Sequence, residues 1–519
     1  MNKTYKKIIT LTSLVATVWL GVGCEQTLDV NTDPNKTVVN PPNLILTSAE
    51  AQLGFSMGAD LNRYTALFVQ QIAAQNGRQT EAWDAYVLQP TEVNGVWRTN
   101  MYAGFLADTE EIIKKGASIH PAYLGISKTL KAFGFSLMTD LWGDVPYTEA
   151  LKGTENAQPK PDKSQDIYPG LLTLLDEAIV DLRKTSPLVA PTTDDYIYSG
   201  NTQRWIRFAN TLKLRLYLHM ANASGFNAST VQTFIANTPA TDFMTANSDD
   251  FQMRFDLVAQ RQNPIHQFIV LRTDDICTSS TTVNLMNGKS DPRRALYFTA
   301  APFSPANLNI PPTGTTGYVG LRNGTAGGGV NTNLSRLHTY IRGAVTSTTI
   351  PAGPTLAVGG LTYAGNASLN MLTFAEYNFI RAEMALKYGT AGNAEEFYRA
   401  GIQFSMSDVG VPAANATAYL ATSAGTLGTG SAAIQKLIEE KYVANFLVSV
   451  EPWNDWRRTG FPILQPIPVT ANPGNNGRFP RALPYPQQET DANPLLKAIQ
   501  RNNLSERPVY WDTRTTGQQ

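Results

Sequence analysis

The chain has 519 residues, with 42 basic and 42 acidic side chains, 2 cysteines and 4 histidines. This balance lacks the basic excess that phosphate binding requires, which argues against nucleic acid as a partner. Two cysteines are too few for a disulfide framework or a cysteine-rich zinc site.

The N-terminus reads as an export signal. Lys3, Lys6 and Lys7 precede an apolar run, Ile8 to Val22, which closes on Gly21-Val22-Gly23-Cys24. The run is too short and wrongly flanked for a stable membrane span. Small residues before a cysteine fit a lipoprotein signal with Cys24 acylated; the alternative is an ordinary signal peptide with an incidental cysteine. Cleavage after residue 23 removes three lysines, leaving 39 basic against 42 acidic groups and a mature net charge of −3. We therefore expect a signal peptide at 1–23, a lipidated polar tether at 24–47 and one folded domain at 48–519.

Helical spacing dominates from Leu44. Leu61, Tyr64, Leu67, Phe68 and Ile72 share one face, and Val93 to Lys115 forms a longer run. Pro121 opens a segment carrying Ile126, Leu130, Phe133 and Leu137, as proline does in a first helical turn. Ser164 is placed to cap the next helix, with Leu171, Leu175, Ala178 and Leu182 on its buried face. Trp205, Phe208, Leu212 and Leu216 mark another. From about 223 to 370 the chain turns to Gly, Ser, Thr, Asn and Pro, a stretch too long for a simple connection in a compact domain. Helices resume at Thr373. The stretch Ala382–Gly389 followed by Ala394–Ala400 has the pattern of a tetratricopeptide unit: helix, glycine turn, helix, with small residues at the crossing. Ile434, Ile438, Tyr442 and Phe446 mark the last long helix. A proline- and asparagine-rich tail follows from 459. The helical scaffold is thus expected at about 48–222 and 371–458.

Two stretches could carry chemistry. Thr139 to Tyr147 (TDLWGDVPY) holds two carboxylates, but residues four apart across a turn need not converge on one glycosidic bond. Asp140 and Asp144 are more simply read as fixing a helix end and the turn after it, with Trp142 and Tyr147 buried. Glu451 to Arg458 (EPWNDWRR) reads as a structural ion pair of Asp455 with Arg457 or Arg458 beside two tryptophans. The histidines are scattered and there is no HExxH pair, so no catalytic metal is expected. Asp29 to Asp33 imitates a calcium loop but lacks the glycine and glutamate that complete one. There is no GxSxG, P-loop or dinucleotide fingerprint, and no cofactor is expected.

These residues carry a resemblance along nearly the whole chain. Cys24, Asn31-Thr32-Asp33-Pro34-Asn35, Leu137–Tyr147, Pro159–Ile179, Asn210–Leu218, Glu439–Gly460 and Arg478–Pro494 together resemble the SusD/RagB family of outer-membrane nutrient-binding lipoproteins of Bacteroidota. The resemblance implies a mainly α fold: a SusD-like scaffold of tetratricopeptide-like helix pairs, with the loop-rich 223–370 insert facing ligand and an extended tail at 459–519. It implies binding without catalysis: a lipid-anchored protein on the outer face of the outer membrane that captures nutrient oligomers, usually glycans, for a SusC-like TonB-dependent transporter. Oligopeptide capture is the family's alternative; a surface glycosidase and a plain helical scaffold are the remaining readings. Ligand contacts in the family come from the early loop and the insert. The early loop here, Gln75 to Gln89, offers Trp83 and Tyr86 as a stacking platform with Asn76, Arg78 and Asp84 as hydrogen-bonding neighbours; the competing reading docks Trp83 onto the helices. In the insert the candidates are Arg272, Asp274, Tyr318 and Tyr340.

Overall fold

The computed structural model describes residues 40–75, 79–272, 275–301, 317–325, 333–347, 362–472, 477–501 and 503–514. The signal segment, Cys24, Asn76, Arg78 and Asp274 lie outside them. Among the described residues no helix is long and apolar enough to cross a membrane.

The first half is a stack of antiparallel helices. Helix α1 spans Pro42–Gly58 and α2 Asp60–Phe68. The first opens inside the expected tether because Pro42 is suited to a first helical turn. The second stops short of Ile72, which instead starts strand β1 (Ile72–Ala74). After the short helix α3 (Gln79–Asp84), the run from Val93 forms a π-helical segment, Gly95–Leu106, that continues into α4 (Ala107–Lys114). Next come α5 (Pro121–Trp142), α6 (Ser164–Leu182) and α7 (Thr202–Met220). Gly125 lies against Leu182 and Gly134 against Phe105, so missing side chains let these helices approach closely. The cap of α6 differs from expectation. Asp144 Oδ1, rather than the Ser164 hydroxyl, accepts from the Ser164 amide at 2.9 Å, while Oδ2 holds Lys163 at 2.7 Å. A carboxylate also suits the positive end of a helix.

The insert is more regular than its composition suggests. It holds α8 (Ala228–Asn237), α9 (Pro264–Leu271), α10 (Ser280–Gly288), α11 (Arg294–Tyr297) and α12 (Thr339–Arg342). Asn227, Asn263 and Ser279 cap three of these with side-chain oxygens, so the polar residues that made the stretch look like loop are in part helix starts. One antiparallel ladder ties the insert to the scaffold, and a second lies mostly within the insert. Strand β1 pairs with Ile276–Thr278, and Phe251–Met253 pairs with Leu369–Leu372.

The predicted tetratricopeptide unit is α13 (Phe374–Tyr388) and α14 (Ala394–Val409), joined through Gly389 at φ +62°. Gly401 faces the Phe379 ring at the crossing. After α15 (Ala413–Leu420), α16 (Gly430–Ala444) and α17 (Glu451–Thr459) complete the scaffold. The tail wraps back over both halves, with Trp511 fully buried. The fold is mainly α, a tetratricopeptide-like helical scaffold.

The distinctive motifs lie in the core. Trp142 and Trp453 are fully buried and Trp456 nearly so. Asp140 and Asp144 do not converge. Asp140 accepts from Tyr168 and from Asn454 Nδ2 at 2.8 Å, while Asp144 caps α6. Asp455 pairs with Arg458 at 2.8 Å, and Arg458 also forks onto Glu383.

Candidate functional site

The early loop is shaped by what holds its ends. Strand β1 places Ala73 opposite Cys277, and the Thr80 hydroxyl donates to the Asp275 carbonyl at 3.2 Å. The loop is thereby fastened to the insert rather than projecting from the scaffold.

This fastening corrects the expected aromatic platform. Trp83 is 2% exposed, its ring lies edge-on to Tyr64 at 4.6 Å, and its indole N–H donates to Glu92 Oε1 at 2.9 Å. Tyr86 is 1% exposed and packs against Phe68 and Phe479. Its backbone sits at φ +62°, a conformation that costs a non-glycine residue free energy and persists only where surroundings impose it. Those surroundings are Gln70, whose Nε2 donates to the Tyr86 hydroxyl at 3.0 Å, and Asn472, whose side chain donates to the Tyr86 carbonyl at 3.1 Å. Both rings dock the loop; neither presents a face to solvent. The physical reason is that helix-borne Tyr64 and Phe68 offer apolar partners that sequence spacing alone does not reveal.

Asp84 has a different place. Its carboxylate is buried yet borders a cleft of about 650 Å³, formed where three separated segments meet: α3, the Gly324–Thr325 turn of the insert, and Pro468–Ala471 of the tail. It accepts from the Asn323 side chain and from the Gly324 amide at 2.7 Å. Burial pushes its pKa up to about 7, only partly offset by those donors. Asn323 also donates to the Ile72 carbonyl at 2.8 Å and accepts from the Ser279 hydroxyl at 2.6 Å. One asparagine thus joins early loop, insert and a helix start. Nearby, Gln70 Oε1 accepts from the Thr281 hydroxyl and from the Gln465 amide, tying in the tail. The cleft wall offers Glu81, Thr325 and Thr470 as polar groups and Ala82, Val87 and Pro468 as apolar ones. The described lining carries no aromatic ring.

The insert candidates do not gather there. Tyr318 borders a second cleft of about 460 Å³ with Asn287, Arg294 and Asn415. Its ring face is already covered, with the Arg294 guanidinium 5.3 Å from the centroid and held by Asn287 Oδ1 at 2.8 Å. Tyr340 packs against Tyr297 at 4.8 Å and its hydroxyl accepts from Asn370. Arg272 is half exposed, 3.7 Å from Asp275 and over the Phe268 ring. Gln70, Glu92, Asn323 and Asn472, which build the site, were invisible in the sequence. Each is an isolated polar residue whose partners are distant in the chain.

A search of curated protein sequences returns no match. Solved structures share the fold. A chitin-binding SusD homologue from Flavobacterium johnsoniae superposes with a TM-score of 0.73 at 23% identity, covering 91% of this chain and 98% of its own. A SusD homologue from Bacteroides fragilis gives 0.72 at 19% identity, covering 92% and 100%. One from Bacteroides ovatus gives 0.71 at 23% identity, covering 91% and 99%. The SusD-like family model, described as starch-binding and associating with the outer membrane, matches residues 34–486. The chain therefore belongs to the SusD/RagB family.

Proposed function

We propose that this protein is a lipid-anchored receptor on the outer face of the outer membrane, binding glycan oligomers and passing them to a SusC-like TonB-dependent transporter without chemical conversion. The anchor would be acylated Cys24. The observation that carries the reading is the cleft in which early loop, insert and tail meet. Its mixed wall suits a sugar, with hydroxyls bonded by Glu81, Thr325 and Thr470 and C–H faces against Ala82, Val87 and Pro468. The two carboxylates of the distinctive DLWGD run, Asp140 and Asp144, are spent on Tyr168, Asn454 and a helix cap, which supports a non-enzymatic role.

Oligopeptide capture is the second reading, favoured by the absence of an aromatic ring from the described wall of that cleft. Calorimetry of the mature chain against starch-type and chitin-type oligosaccharides and short peptides separates the two. Ala82→Trp, at an exposed wall position, fills the cleft without touching the core. Glycan binding abolished by Ala82→Trp with unchanged stability supports the proposal. Peptide binding alone moves the assignment to the second reading, and glycan binding indifferent to Ala82→Trp removes the cleft from it. Turnover of any oligosaccharide refutes the receptor role.

A further inference from the structure

The second cleft, of about 460 Å³, has the size of a small-ligand site and is built where the insert meets the scaffold. Asn287 reaches it from the last turn of α10, Arg294 from α11, Tyr318 from later in the insert, and Asn415 from scaffold helix α15. The insert side is fastened internally. The Asn287 side chain donates to the Tyr318 carbonyl at 3.0 Å, while its Oδ1 holds Arg294.

Arg294 is half-buried, and its contacts position it without neutralising it. Its Nε donates to the Asp291 carbonyl and its Nη1 to Asn287 Oδ1, both at 2.8 Å. The guanidinium lies 5.3 Å from the centre of the Tyr318 ring. All three partners are uncharged. A guanidinium carries five N–H donors, so both donors on Nη2 are left over. Among the described residues no carboxylate pairs with it. The acids of the adjoining ion cluster are engaged elsewhere: Asp291 is fully buried and forks onto Arg293, and Glu439 and Glu440 hold Lys289, with Glu440 also on Arg293. The rest of the described lining is uncharged. The cleft wall therefore carries one unanswered charge, and it is positive. Asn415 adds an exposed amide that can donate to and accept from hydroxyls.

We propose that this cleft binds an acidic sugar unit, with the Arg294 guanidinium taking its carboxylate and Asn415 a neighbouring hydroxyl. A planar guanidinium matches a carboxylate in two-donor geometry, and such charge-assisted bonds are roughly twice as strong as neutral ones. A polyhydroxylated ring suits this wall better than an apolar peptide side chain does. Besides the covered Tyr318 ring, the described lining offers only Pro292 and Ala295 as apolar side chains. The inference rests on the receptor reading and extends its ligands to glycans that carry uronic acid.

Calorimetry of the mature chain tests it. The probes are oligomers of galacturonate, glucuronate and mannuronate, and the methyl esters of the same oligomers, which keep the rings and lose the charge. At least one uronate should bind about tenfold or more tighter than its ester. Arg294→Gln should lower uronate affinity to that of the ester. Asn415→Asp places a carboxylate at an exposed wall position and leaves the Arg294 contacts in place, so it should do the same even if Arg294→Gln is unstable. Failure of every uronate to bind overturns the proposal, as does a uronate bound no better than its ester or bound equally well by both variants. A peptide carboxylate that binds through Arg294 when no uronate does also overturns it. The receptor reading is scored separately by neutral oligosaccharides and Ala82→Trp. Neutral glycans bound in the first cleft with no uronate preference refute this inference alone. Arg294-dependent uronate binding that survives Ala82→Trp supports it even where the first cleft binds nothing.

Discussion

Trp83 separates a docking role from a ligand-stacking role. Its indole N–H reaches the Glu92 carboxylate at 2.9 Å in a nearly water-free setting, and its ring packs edge-on against Tyr64. Trp83→Phe keeps most of the buried ring and deletes the N–H. Loss of a hydrogen bond to a charged group costs about 1.5–3 kcal/mol. Trp83→Ala also opens a cavity and should cost about 3–5 kcal/mol. Urea unfolding monitored by circular dichroism measures both as midpoint shifts, provided the slope is unchanged. Calorimetry at a urea-free temperature where Trp83→Phe is folded then measures its affinity for the best glycan. A docking ring predicts destabilisation with affinity within about twofold of wild type, less than 0.5 kcal/mol. A Trp83→Phe variant as stable as wild type, yet weaker in binding by about tenfold or more, would refute the docking assignment and return the ring to the ligand.

Four further outcomes are expected. Lys441→Met leaves Glu451 and Asp455 buried without the ammonium that lies 2.9 and 2.8 Å away, and should destabilise by about 3–5 kcal/mol in chemical unfolding. Asp84 titrates higher folded than unfolded, so the stability it confers is complete below about pH 4 and is lost as pH rises toward 7. The stability difference between Asp84→Asn and wild type should accordingly shift in favour of Asn by up to about 4 kcal/mol between pH 4 and 8; a pH-independent difference contradicts the assignment. Gly143→Ala places a Cβ 2.1 Å from the Pro508 carbonyl at φ +83° and should cost about 2–4 kcal/mol, read as a lowered melting temperature. Asn323→Ala should loosen the early loop, seen as faster hydrogen exchange at 79–87, because it removes donors to both Asp84 and the Ile72 carbonyl.

The helical scaffold was legible because periodicity records burial. Ile126, Leu130 and Phe133 are fully buried on α5, and the α13–α14 pair lies close to where its glycine turn placed it. The failures have specific causes. Ile72 continued the helical spacing of α2, but a three-residue pairing with the insert claimed it as a strand. The insert read as loop because Asn and Ser serve equally in turns and as helix caps. Asp84, expected as a hydrogen-bonding neighbour of an aromatic platform, is instead buried against Asn323 and Gly324 at the edge of the cleft. Trp83 and Tyr86 looked exposed because their partners, Tyr64, Phe68 and Phe479, come from elsewhere in the chain. Asn323 and Gln70 give no local signal: their roles exist only after three segments have been brought together.

Among the stretches that carry the family resemblance, Asp140–Trp142 and Glu451–Arg458 are buried, and electrostatics explains why they are so distinctive. Lys441 lies among Glu376, Glu451 and Asp455. Burial pushes the Glu451 carboxyl up, but Lys441, His219 and Arg215 outweigh it and hold it well below its usual range. Arg215 forks onto Glu376, and Arg458 onto Glu383, which is held down to about 2 against the same burial. Tyr168 joins this node to Asp140 and accepts from the Trp511 indole at 2.6 Å. Its members come from α5, α6, α7, α13, α16, α17 and the tail. A buried ion is costly unless its partners stand in place, so packing that satisfies all of them fixes how seven segments cross. Such a node tolerates few residue types, which gives the sequence its motifs, and it touches neither cleft. The motifs therefore report the scaffold. Under the proposed receptor role, discrimination among ligands would fall to the accessible side chains of the cleft wall, such as Glu81, Thr325 and Thr470, rather than to the buried node.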